Sequence, residues 1–169
     1  GATRARGRSH SAAQLTQGGP AETRGVVESL DPSATRQQPL GESLPQLADE
    51  FSQLYGVAVH CEVRHTKSRP PAAIESGVYR VVREGLNNVV KHANVPLAQV
   101  DLVFGADCLR VSTTDNGVGF DPSAPRPMRT LGMSSMRERA EGIGGRLAVE
   151  SAPGRGTSVS AALPIRHAD

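Results

Sequence analysis

Thr113-Thr114-Asp115-Asn116-Gly117-Val118-Gly119-Phe120 is the stretch on which the fold turns. The residues leading into it alternate, Leu109, Val111 and Thr113 against Arg110, Ser112 and Thr114, which predicts a half-buried strand. That strand carries a carboxylate, Asp115, straight into a turn holding two glycines. Glycine allows positive φ and lets a ligand approach the bare backbone. An acid fixed at a strand end beside such a turn can accept a hydrogen bond from an amino group while main-chain N–H groups face an anion. Asp-Asn-Gly is also the ordinary signal of a β-hairpin, and taken alone the stretch reads first as a hairpin.

Upstream, the longest helical pattern runs from Ala72 to Ala93. Ile74, Val78, Val82, Val89 and Ala93 recur at near-helical spacing as its core face, with Gly85 allowing a close approach. Glu84 and Asn88 lie one turn apart and project together, with Lys91 and His92 a turn further along. At about 100° per residue this polar strip runs beside the apolar stripe rather than opposite it, where a cleft opens at the edge of a core. A solvated face is the usual fate of mixed charge, so the helix alone leaves the two readings level. Val95-Pro96 ends it. Val100, Leu102 and Phe104 then predict a strand that turns at Gly105-Ala106-Asp107 into the strand of the opening motif.

Downstream, Asp121-Pro122-Ser123-Ala124-Pro125-Arg126-Pro127 suits neither helix nor central strand and predicts a functional or mobile loop. A third helix is expected to start within Leu131-Gly132-Met133-Ser134-Ser135-Met136-Arg137-Glu138-Arg139-Ala140. Met133, Met136, Ala140 and Ile143 would face inward and Gly144-Gly145 would stop it. A helix that starts after glycine offers free N–H groups and the positive end of its dipole to phosphate. Leu147, Val149 and Ser151, then Val159, Ala161 and Leu163, predict two closing strands around the turn Pro153-Gly154-Arg155-Gly156-Thr157.

Nearer the start, Leu40, Leu44, Leu47, Phe51 and Leu54 form one face of an amphipathic helix, widened by Ala48 and Tyr55. Ser43 is its expected N-cap and Gly56 its stop. Val57, Val59, Cys61 and Val63 alternate with Ala58, His60, Glu62 and Arg64 as a strand that leaves His60 exposed. Residues 1–38 hold too little apolar surface to offset chain entropy, and are expected to be disordered or a residual linker. His10 lies there without a periodic face and is expected to be solvated. A single domain, 39–166, and a short tail, 167–169, complete the division.

The 169 residues suit one domain whose core is aliphatic, since apolar residues make up 37% but aromatics only 3%, with no Trp. A formal charge of +2, with no interleaving of aromatic and basic residues, argues against a nucleic-acid surface. Cys61 and Cys108 fit no metal-ligand spacing, so buried reduced thiols in strands are expected. No apolar run nears the ~18 residues that span a bilayer, and no signal-peptide pattern is present. The expectation is a cytoplasmic chain, or the cytoplasmic portion of a membrane-bound sensor. Short turns between strands and three amphipathic helices predict an α+β fold. It is a two-layer α/β sandwich, a mixed but mostly antiparallel sheet covered on one face by helices. The glycines match neither a P-loop nor a dinucleotide fingerprint.

Four polar segments remain: Glu84 with Asn88, Asp115 to Gly119, Leu131-Gly132-Met133, and Gly154-Arg155-Gly156-Thr157. In combination they resemble the ATP-binding domain of the GHKL superfamily, the Bergerat fold of histidine kinases, gyrase B, Hsp90 and MutL. Arg83-Glu84-Gly85-Leu86-Asn87-Asn88-Val89-Val90-Lys91-His92-Ala93 resembles the N box, with the Lys-His-Ala ending typical of the NarL-partnered sensor histidine kinases. Asp115 to Phe120 resembles the G1 box, Leu131 to Ala140 the G2 region, and Gly154 to Thr157 the closing glycine-threonine turn. The resemblance runs from about Leu40 to Ile165, its boxes in order and at matching separations.

That resemblance implies roles. Asp115 would accept from the adenine amino group, with Gly117, Gly119 and Thr157 shaping the pocket. Asn88 would give an oxygen to Mg²⁺, and Glu84 would orient water around the metal or assist proton transfer. Lys91 and His92 would lie near the phosphates, Gly132 and Met133 at the phosphate chain, and 121–130 would form the lid over ATP. Ser135 departs from the glycine of many relatives. The implied partners are the histidine-bearing dimerisation domain of a homodimeric parent and, through it, a response regulator. His10 lacks the context of the phosphoacceptor, so the chain is expected to start after that helix, Arg24–Pro32 being the tail of the joining segment, and to be monomeric. A serine kinase of the anti-sigma-factor type and a non-catalytic nucleotide-binding module are the competing readings.

Overall fold

The computed structural model describes residues 38–64, 69–125 and 127–165, the side chains of 127–131 excepted. The expectations for His10, Arg24–Pro32 and the tail after Ile165 lie outside the described residues. The elements run α1 (Leu40–Tyr55), β1 (Ala58–Arg64), α2 (Ala72–Asn88), a π-helical turn (Val89–Ala93), β2 (Leu97–Phe104), β3 (Cys108–Asp115), α3 (Pro127–Gly142), β4 (Arg146–Ser151) and β5 (Thr157–Pro164). One sheet holds all five strands in the order β1-β2-β3-β5-β4.

The topology follows from connection lengths. β1 and β2 are parallel, because α2 carries the chain back across the sheet between them. The short turn after Phe104 makes β2 and β3 an antiparallel pair, with Val100 opposite Thr113 and Ala98 opposite Asp115. β3 does not fold back on a following strand. Its other neighbour is β5, with Asp115 opposite Thr157. The Asp-Asn-Gly stretch is therefore no hairpin.

The period of two sorts the sheet into a covered face and an open one. Ala98, Val100, Leu102 and Phe104 of β2, Leu109 and Val111 of β3, and Val159, Ala161 and Leu163 of β5 are buried beneath Leu44, Leu47, Phe51, Val78, Val82, Leu86 and Met136 of the helices. Arg110, Arg146, Ala148 and Ala162 stay exposed on the opposite face. The aliphatic core, the mixed sheet and its one-sided cover are as the sequence predicts.

Four local expectations are corrected. Ser43 is not the N-cap. α1 starts at Leu40 behind Pro39, Ser43 is buried inside the helix with its hydroxyl donating to the Leu40 carbonyl, and Glu75 of α2 accepts from the Leu40 N–H instead. Leu54, expected on the apolar face, is 63% exposed, in the last turn of α1, which ends one residue later. The long helix widens to a π turn over its last five residues, Val89 to Ala93, and breaks at Asn94, whose φ is +54°. α3 starts at Pro127, not near Leu131, because proline is well suited to the first helical position. The Pro-rich loop is thus shorter than expected, and Gly132 lies in the second turn of α3 rather than at its N-terminus.

Both cysteines are free, in strands and partly buried. Burial, reinforced by Asp101 and Asp49, pushes the Cys61 thiol up to about 11 from 9.0. The folded state therefore keeps this proton through the ordinary thiol range, and the difference from the unfolded chain fades only as pH climbs through about 11. In a Cys108→Ser background at pH 8, iodoacetamide should alkylate native Cys61 slower than the urea-unfolded chain by about a hundredfold, the ratio of thiolate fractions. Equal rates would refute the buried setting of this thiol.

Candidate functional site

The end of β3, the α2 face and the start of β5 line one pocket. Asp115 stands at its base, 7% exposed, because it continues the inward-facing series Leu109, Val111, Thr113. Its Oδ1 accepts the Gly117 N–H at 2.8 Å, so the turn that follows aims the carboxylate. Thr157 faces it across the β3–β5 ladder. Gly85 brings α2 down onto Thr113, where a Cβ would lie 3.0 Å from the Thr113 hydroxyl. Val89, Ala93, Phe120, Met133 and Val159 supply apolar walls, and Asp115 is the sole carboxylate in the lining. A mostly apolar pocket with a buried acceptor suits a heteroaromatic ring that carries an amino group.

Glycines hold the walls this close. Gly119 has φ +58°, and a Cβ there would overlap the Ala152 carbonyl oxygen. Gly156 has φ +73°, and its Cβ would overlap the carbonyl oxygen of Asp115. Gly117 does a different job. It does not line the pocket but packs on the Ala93 carbonyl, which accepts the Val118 N–H at 3.1 Å. The π turn carries that carbonyl, so the widened helix end anchors the loop.

Of the expected site residues, the structure brings Asn88, His92, Asp115, Gly119, Met133 and Thr157 into one pocket. Glu84 lies at its rim, where a Cβ on Gly132 would come 2.7 Å from Glu84 Oε1 and 3.9 Å from Asn88 Oδ1. A side chain here would push the Glu84 carboxylate aside. Gly132 thus meets the N box through its missing side chain, not through a helix N-terminus. Lys91 is exposed and away from the pocket lining, since the π turn shifts the register that would align it with Asn88. The sequence reading missed Ser151, whose Oγ is 2.9 Å from the Phe120 N–H, 2.8 Å from the Gly156 carbonyl and 3.0 Å from Thr157 Oγ1. Its signal was its place as the last inward residue of β4 before the glycine turn.

Asn88 supplies the test of fit for a metal. Its Nδ2 is buried without a hydrogen-bond partner. An amide is assigned end for end by its partners, so this end of Asn88 is an unmet polar atom at the pocket. Among the described residues no group of three or more His, Cys, Asp or Glu could cage an ion. A hard cation that takes one protein oxygen and the rest from water and phosphate fits this arrangement.

Residues 73–167 match the profile of the family described as histidine kinase-, DNA gyrase B-, and HSP90-like ATPase. The oxygen sensor histidine kinase NreB of Staphylococcus carnosus (strain TM300) is 31% identical over 144 residues, 85% of this chain and 42% of the relative. The sensor histidine kinase LiaS of Bacillus subtilis (strain 168) is 31% identical over the same length, covering 39% of the relative. Among solved structures, the histidine kinase domain of the Erythrobacter litoralis EL346 blue-light activated histidine kinase superposes with a TM-score of 0.60 at 27% identity, over 75% of this chain and 61% of that one. The chain thus spans about two fifths of the length of these two relatives. Sheet order, pocket and matched profile agree, and the chain belongs to the histidine kinase-, DNA gyrase B-, and HSP90-like ATPase family.

Proposed function

We propose that the chain is the ATP-binding catalytic domain of a sensor histidine kinase, delivering the γ-phosphoryl group of ATP to a histidine on a separate dimerisation domain. The observation that carries the nucleotide reading is the buried Asp115 carboxylate at the base of an apolar slot, opposite Thr157. The similarity to kinases named as oxygen and other sensors supports the histidine as acceptor.

In this reading Asp115 accepts from the adenine amino group while Gly119 and Phe120 pack on the ring. Asn88 offers its amide oxygen to Mg²⁺. When bound, that ion neutralises charge on the phosphates, on which phosphoryl transfer mostly depends. Glu84 orients water beside it, and His92 lies toward the phosphates. Gly132 keeps α3 close enough to shut the polar edge from solvent. The parent works as a homodimer whose phosphohistidine passes its group to a response regulator. Among the described residues no helix is long and apolar enough to cross a membrane, in keeping with a cytoplasmic position for this part.

The test mixes the chain, Mg-ATP labelled on the γ-phosphate, and the isolated dimerisation domain of its parent kinase. Label should move to that domain and be lost in acid yet kept in base. Acid-stable label would favour the serine kinase, and label that never leaves ATP would favour a nucleotide-binding module.

A further inference from the structure

The Ser151 hydroxyl has one proton and three neighbours. The Phe120 amide can only donate to it, at 2.9 Å, and the Gly156 carbonyl can only accept from it, at 2.8 Å. Ser151 therefore spends its proton on Gly156. At 3.0 Å the Thr157 hydroxyl is left to donate to Ser151 Oγ, and it has no other partner among the described residues. With its own proton committed to β4, Thr157 turns only lone pairs toward the pocket it lines. Asp115, opposite it in the ladder, is likewise an acceptor.

We infer that Ser151 is a positioning residue for base selectivity, fixing the Thr157 hydroxyl as an acceptor so that the pocket selects a 6-amino purine over a 6-oxo purine. The inference rests on the pocket being the ATP site. An amino group meets two acceptors and satisfies both. A 6-oxo group would put a third acceptor against them, the N1 proton that accompanies it can meet at most one of the two, and a site left with unmet polar groups rejects such an analogue strongly. Without Ser151 the Thr157 proton is free to swing into the pocket and bond an oxo group. Two residues that never touch the phosphates would then set which triphosphate is used.

The experiment titrates ATP and inosine triphosphate, which differ at this position of the base and in the proton that the oxo form carries on N1, into the full chain by calorimetry. Wild type should prefer ATP. Ser151→Ala should compress the ATP-to-ITP affinity ratio by about tenfold, the worth of one hydrogen bond gained on one ligand and lost on the other. ATP should bind more weakly and ITP more tightly. Ser151→Thr keeps the hydroxyl and should keep the ratio. A role confined to stitching Phe120 to Gly156 would weaken both ligands in proportion, and an unchanged ratio in Ser151→Ala overturns the inference. If Ser151→Ala does not fold, Ser151→Cys asks the same question, because a thiol accepts only weakly. Wild type that binds both nucleotides equally overturns this inference alone, whereas wild type that binds neither overturns the ATP reading itself.

Discussion

Asp115→Ala should lower the affinity for ATP by about a hundredfold, the scale of losing a hydrogen bond to a charged group in a dry pocket. The size follows from three features. The carboxylate is 7% exposed, so bulk water competes little with it for the amino group. It is the sole carboxylate of the lining. Its Oδ1 also holds the Gly117 N–H at 2.8 Å, so truncation releases the loop that carries Gly119. Asp115→Asn separates these contributions. An amide oxygen can still accept from Gly117, but its NH₂ group then faces the adenine NH₂ group. If recognition is the larger part, Asp115→Asn binds nearly as poorly as Asp115→Ala while melting close to wild type. Calorimetric affinities and thermal melts of both variants decide this. Unchanged ATP affinity in Asp115→Ala would remove adenine from the base of this pocket.

Why so much of this was legible lies in which features are local. Alternation in Leu109 to Thr114 needs only the pleat to become a strand with Asp115 pointing inward, and the helical stripe through Ile74, Val78, Val82 and Val89 needs only the 3.6 period. Those two patterns set which way Asn88 and Asp115 point, and the sheet topology brings them to one pocket. Most of the failures have a different origin, for they depend on how a segment meets the rest of the fold. Ser43 has the right chemistry for a cap, but Glu75, 35 residues away from Leu40, caps α1 instead. Leu54 fits the stripe, yet it lies in the last turn of α1 and is left exposed. Pro127 reads as loop among its neighbouring prolines, although the same ring suits a helix start. The Val89–Ala93 π turn widens the helix where its last carbonyl must meet Gly117 and Val118, and that contact moves Lys91 out of line. Ser151 reads as a strand residue because Phe120, Gly156 and Thr157 meet its hydroxyl only once the loop after β3 and the glycine turn before β5 are in place.

Asn88→Ala should lower phosphoryl transfer by about three orders of magnitude, the scale of losing a group that positions charge at a reacting phosphate. The same variant should melt higher than wild type, by about 2–4 °C, because a buried polar atom without a partner costs about 1–3 kcal/mol in the folded state. Nδ2 is such an atom. A residue kept for packing would behave the opposite way, since truncating a well-partnered side chain in a core lowers stability. Loss of transfer with gain of stability is the mark of a side chain held ready for something outside the chain. Metal dependence sharpens the point. In EDTA the variant and wild type should bind ATP alike, because adenine is held at Asp115, at the other end of the pocket. Added Mg²⁺ should tighten ATP on wild type and leave the variant unaffected, whereas Asn88→Asp, which retains an oxygen, should recover much of the response. A variant that melts lower and still responds to Mg²⁺ would mean that Asn88 supports α2 against α3 and that the metal is held by other groups.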